Sequence, residues 1–88
     1  MMRTVILDGA RLAERGAAMD ILTLALDLPG EWGRNLDALH DCLTEVGQPT
    51  RVELMDCEAL GRTAFGQRLL KVLEDAAWEN SYIELAEV

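Results

Sequence analysis

A chain of 88 residues, half of them hydrophobic, is the size of one small domain and buries only a modest share of its surface. No run approaches the roughly 20 consecutive apolar residues that a membrane-spanning helix needs, and the apolar content argues against a disordered chain. Sixteen acidic residues against eight basic ones leave a net charge of −8; such a chain repels phosphates, so nucleic acid is not the expected partner, whereas a basic protein would be drawn to it.

The opening Met1-Met2-Arg3-Thr4-Val5 is too short an apolar run for an export leader and leads straight toward Asp8, so the expected compartment is the cytoplasm. Cys42 and Cys57 lack zinc or redox spacing and are expected as free thiols there. Thr4-Val5-Ile6-Leu7 reads as a buried strand closed by Asp8-Gly9. Because it is apolar on both faces, it suits a parallel sheet covered by helices. An irregular turn is expected over Leu12 to Arg15. Gly16 then caps a helix from about Ala17 to Leu26, with Met19, Leu22 and Leu26 on one face.

Asp27-Leu28-Pro29 ends that helix, since proline drives the residue before it out of the helical region. A rigid loop follows, in which Gly30 and Gly33 can take positive φ or admit a close neighbour. Asn35 is placed to cap a second helix, Leu36 to Val46, by accepting from a free amide of its first turn. Leu36, Leu39, Leu43 and Val46 form its buried stripe. Cys42 lies near that stripe and is expected to pack as a small hydrophobe.

Asp37, His40, Asp41 and Thr44 share another face of the same helix. Asp37 and Asp41 are like charges one turn apart, which costs about 0.2–0.5 kcal/mol on an exposed helix. The helix dipole offsets part of this, more for Asp37 than for Asp41. No Lys or Arg lies between Asn35 and Thr50 to neutralise them. Two carboxylates kept together against a local rule can be a solvated helix face, or a surface for a cationic partner.

After the turn Gly47-Gln48-Pro49, Arg51 to Met55 alternates and reads as a second strand. Asp56 to Gly61 is ambiguous and could be one helical turn. Thr63 is an N-cap candidate for a long helix to about Asn80, with Phe65, Leu69, Val72, Leu73 and Ala76 as its stripe. Gly66 costs that helix about 1 kcal/mol against alanine, with no local reason. Ser81 to Ala86 reads as the last strand. The expected fold class is α/β, with a small three-stranded parallel sheet and packed helices in one domain over 1–88.

The run from Leu28 through Pro29, Gly33, Asn35, Leu36, Asp37, Ala38, Leu39, Asp41 and Cys42 to Leu43 closely resembles the barstar family. These are small intracellular protein inhibitors of microbial guanyl-preferring ribonucleases. Weaker similarity extends over nearly the whole chain. The resemblance implies a barstar-like fold and a partner-binding face. On that face Asp41 enters the enzyme's cationic pocket as a phosphate mimic and Asp37 takes a flanking arginine. Gly33, Asn35 and Leu36 contact the partner along the loop, and Asp75 and Glu79 are acidic rim positions near the end of the last helix. The implied partner is a small basic secreted ribonuclease or related toxin, bound by a chain that is monomeric when free.

Two departures from the family pattern fall on that face. Glu31 stands where well-known members carry an aromatic in the loop, and His40 stands where they carry tryptophan on the helix. Val46 lies near a further aromatic position. Trp32 is expected to pack inward while bordering the site, and Trp78 is either a rim contact or packing. His40 either adds pH dependence or is simply a partly exposed helix residue.

Catalysis is the weaker reading. Neighbours His40 and Asp41 do not face each other on a helix, no nucleophile joins them, and no phosphate loop is present. One histidine rules out a two-histidine metal site, though Asp37, His40 and Asp41 could in principle ligate a cation. The expectation is a non-enzyme without metal or cofactor. The alternative function is a barstar-like interaction module for a different basic protein or toxin.

Overall fold

The structure, a computed structural model, describes residues 2–88; Met1, where the export-leader and one-domain readings both begin, lies outside the described residues. The element order is β1 (Arg3–Asp8), α1 (Gly9–Leu12), α2 (Arg15–Ala25), α3 (Leu36–Thr44), β2 (Thr50–Met55), α4 (Cys57–Leu60), α5 (Ala64–Glu79) and β3 (Ile83–Glu87). The three strands form one parallel sheet in the order β1-β2-β3. Val5 pairs with Val52 and Val52 with Leu85, which brings the apolar alternation of neighbouring strands into one register.

The α/β class and the parallel sheet agree with the sequence reading, but the sheet is covered on one face only. Val5, Leu7, Thr50, Val52, Leu54 and Ile83 point into the core, whereas Thr4, Ile6, Met55 and Glu84 are exposed, Ile6 by 61%. The expectation of a strand buried on both faces is therefore corrected: β1 is apolar on both sides and buried on one. The open face is partly polar. Arg51 bonds Glu53 at 2.9 Å on its own strand and Glu84 at 2.8 Å on β3.

The first helices also differ from the reading. Asp8 caps a short helix, α1, directly after the strand, by accepting from the Ala10 amide at 3.0 Å, and the irregular turn expected over Leu12 to Arg15 narrows to Ala13 and Glu14. Glu14, not Gly16, starts α2: its carboxylate accepts from the Gly16 and Ala17 amides at 2.9 and 2.7 Å. These two amides hold the Glu14 carboxyl below its ordinary pKa. Asn35 and Thr63 cap α3 and α5 as the sequence suggests, and the ambiguous Asp56 to Gly61 segment does contain a helical turn.

Gly66 finds its reason in tertiary packing. A Cβ there would lie 1.8 Å from the Leu60 carbonyl oxygen, so only glycine lets α5 pass so close to the end of α4. Asn80, expected at the helix end, does more than stop α5. Its buried side-chain amide donates to the carbonyls of Leu43 and Val46, both at 2.9 Å. Its oxygen accepts from the Tyr82 amide at 3.0 Å, which delays the last strand until Ile83. The C-terminal end of α3 is thereby fastened to α5.

Candidate partner-binding face

Arg34 and Gly33 together turn the chain from the loop into α3. Gly33 has φ of +100° and lies against Ala38, with no room for a Cβ. Arg34 follows at φ 50°, a conformation unfavourable for a residue with a Cβ. Its guanidinium is held in compensation: it donates to Asp20 at 2.6 Å and to the Thr23 hydroxyl at 3.3 Å, both on α2. Thr23 also accepts from the indole N–H of Trp32 at 2.8 Å. Trp32 is buried in the core, as expected, and anchors the loop from inside. Gly30 does not adopt positive φ.

Asn35 then opens α3 by accepting from the Ala38 amide at 2.8 Å and donating to the Gly33 carbonyl at 3.2 Å. Leu39 and Leu43 are buried, and Leu36 and Cys42 pack partly against the core. Burial, with help from the carboxylates of Glu45 and Asp41, raises the Cys42 thiol pKa, so Cys42 is a packing residue and a poor nucleophile. The helix is thus held at its start by a capped and tethered loop and at its end by Asn80.

What this frame presents is acidic. Glu31, Asp37 and Asp41 are exposed, and the Asp41 side chain is 82% open. Among the described residues no cation pairs with Asp37, and the one near Asp41 is the His40 ring, whose Nδ1 lies 3.9 Å from Oδ1. A carboxylate with free lone pairs on a rigid helix is ready to accept charge-assisted hydrogen bonds from an arginine fork.

The rim positions on α5 sit differently. Asp75 lies 3.6 Å from the Lys71 ammonium, one turn back on the same helix. Glu79 Oε2 lies 2.6 Å from His40 Nε2. A carboxylate only accepts, so this ring nitrogen carries the hydrogen. The Glu79 hydrogen bond raises the His40 pKa; burial opposes it, and the charges of Glu79, Asp41 and Asp75 add to the rise. His40 is therefore a bridge between α3 and α5, a role absent from both sequence readings of it. Trp78 stands 90% exposed on α5, which excludes a packing role within this chain.

The structure thus gathers Gly33, Asn35, Leu36, Asp37, His40 and Asp41 on one loop and helix, and His40 joins Glu79 to them. The family model described as "Barstar (barnase inhibitor)" matches residues 2–86. The chain belongs to the barstar family. One similar relative is the "Putative ribonuclease inhibitor YrdF" of Bacillus subtilis (strain 168). It is 37% identical over 83 residues, covering 89% of this chain and 89% of that protein.

Three parts of this candidate face in the barstar-family chain had no signal in local sequence. Arg34 reaches Asp20 across the loop, Thr23 gathers Trp32 and Arg34, and Asn80 clamps the far end of α3. The bridge from His40 to Glu79 could have been suspected, since both positions map to one face and their side chains are complementary.

Proposed function

We propose that residues 1–88 act as one domain that inhibits a microbial guanyl-preferring ribonuclease in the cytoplasm. The observation that carries this reading is the exposed pair Asp37 and Asp41, with no Lys or Arg partner among the described residues, on a helix immobilised at both ends. An RNA-cleaving site must present cationic groups to a phosphate. Carboxylate oxygens placed where phosphate oxygens would sit satisfy the same donors and leave no room for substrate. Rigidity adds to affinity because little freedom is lost on docking.

In this reading Asp41 enters the cationic pocket and Asp37 binds a flanking arginine. Gly33, Asn35 and Leu36 follow the loop contact, with Glu31 and Asp75 at the rim. Family membership and the name of the YrdF relative support ribonuclease inhibition as the general activity. A binding protein needs no catalytic group, and burial raises the pKa of the Cys42 thiol, which leaves it a poor nucleophile.

Titration calorimetry against a purified guanyl-preferring microbial ribonuclease, with RNA cleavage assayed in parallel, tests the proposal. One-to-one binding that abolishes cleavage is expected. Hydrogen bonds to charged groups are worth about 1.5–3 kcal/mol, so Asp41→Ala should weaken binding roughly 10- to 100-fold. Stability should change by less than about 0.5 kcal/mol, because the Asp41 side chain is exposed. Equal binding by parent and variant would defeat the assigned role of Asp41. Binding to a basic toxin without effect on ribonuclease would instead identify the chain as an interaction module.

A further inference from the structure

The one histidine of the chain sits among the carboxylates of the binding face. Its Nε2 is bonded to Glu79 on α5, and its Nδ1 looks toward Asp41 on the same helix at 3.9 Å. Asp75 on α5 adds a third negative charge to its surroundings, and Asp37 lies one turn earlier on α3. The ring is about one-third exposed, so it exchanges protons with solvent while remaining fixed in direction. No other cation lies beside Asp41 among the described residues.

We propose that His40 is a proton-operated specificity residue: the imidazolium held between Glu79 and Asp41 must release its proton before a guanidinium-bearing partner settles fully on Asp41. The inference rests on the reading that a cationic partner docks on α3. A guanidinium that reaches Asp41 comes close to the imidazole Nδ1. Two like charges beside one carboxylate repel, so binding and protonation oppose each other. Neutral His40 still donates from Nε2 to Glu79 and leaves Nδ1 as an acceptor for the incoming guanidinium. Protonated His40 offers only donors and a charge.

The signs follow from linkage. In the free chain the surrounding carboxylates favour the protonated ring, so its pKa lies above the ordinary histidine value. The partner brings positive charge and lowers that pKa. Affinity is therefore weakest when His40 is protonated in both states, rises through the window between the bound and free pKa values, and is constant above it. Each unit by which binding lowers the pKa corresponds to tenfold in Kd. The stability of the free chain moves the opposite way. The contribution of the bridge is fully present below the unfolded pKa of the ring and is lost as pH rises through the folded one.

The test is an NMR titration of the His40 ring in the isotopically labelled chain, free, with a hexa-arginine peptide, and with an unlabelled guanyl-preferring microbial ribonuclease. The free pKa is expected above the ordinary value and should fall in Glu79→Gln. Saturation with either cationic ligand should lower it by about one unit, with Kd for the ribonuclease tightening about tenfold across the window. His40→Gln, which keeps a donor for Glu79, should remove that part of the pH dependence. A His40 pKa that neither ligand lowers overturns the inference. If the ribonuclease binds and His40 stays unmoved, the inference falls and the inhibitor reading survives. If the ribonuclease does not bind while hexa-arginine lowers the pKa, the inhibitor reading falls and the proton linkage stands.

Discussion

Gly66 is where the first turn of α5 lies directly against the end of α4. Its missing side chain leaves room for the Leu60 carbonyl, which a Cβ would meet at 1.8 Å. Alanine is the better helix former by about 1 kcal/mol, yet Gly66→Ala should destabilise the fold by about 2–3 kcal/mol, the cost of forcing packed groups apart. A urea denaturation midpoint at or above that of the parent would contradict this packing. Propensity registered only the local penalty, because the reason for glycine lies across a turn in Leu60. Asn80 was read as a helix end for a similar reason. Its preference for that place is local, while the two carbonyls it holds belong to the end of α3. His40 shows the same limit at the site. Its position on the acidic face was visible from helical spacing, but the 2.6 Å bond to Glu79 depends on how α3 lies against α5.

At the scale of elements, α3 was the most legible part of the chain. Its cap and its acidic face follow from short-range rules and have counterparts in the structure. Its stripe holds for Leu39 and Leu43, with Leu36 partly buried, but the helix ends at Thr44, so Val46 packs from beyond it and not as its last turn. The loop before it was legible only in part. Pro29 and Gly33 mark it as a turn, but the left-handed Arg34 and its anchor on Asp20 and Thr23 are tertiary. The cap is the weak point of this arrangement, since one side-chain oxygen secures the turn that carries Asp37. Asn35→Ala should cost about 1 kcal/mol. Hydrogen exchange should quicken first at the amides of residues 36–38, while Leu43 and Val52 remain protected. Uniform acceleration through the whole chain would show instead that the cap supports the global fold. Partner affinity should fall with the cap even though Asp37 and Asp41 are untouched, because the helix would then have to order on binding.

For the molecule as a whole, an 88-residue chain has helices enough for one side of its sheet. The amphipathic stripes of α2, α3 and α5 all converge on the face that carries Val5, Leu7, Val52 and Leu54. This explains why the two-sided apolar pattern of β1 misled: Ile6 belongs to the open face, and nothing in its neighbours along the sequence reveals which face the helices choose. The same geometry separates the charged surfaces. On the open sheet face Arg51 is engaged by Glu53 and Glu84, whereas Asp37 and Asp41 on α3 are left to act on their surroundings. With a net charge of −8, the field of this acidic face should guide a basic partner from beyond contact distance. Screening lengths shrink from about 30 Å at 0.01 M salt to about 3 Å at 1 M. The association rate should therefore fall by at least about tenfold over that range. Dissociation should change far less, because the docked pairs are shielded from solvent ions. Stopped-flow mixing can follow both rates through Trp78, the exposed indole on α5, provided the partner covers or perturbs it. An association rate indifferent to salt would mean that apolar contact, not the carboxylates, governs encounter, and would place the first recognition step away from α3.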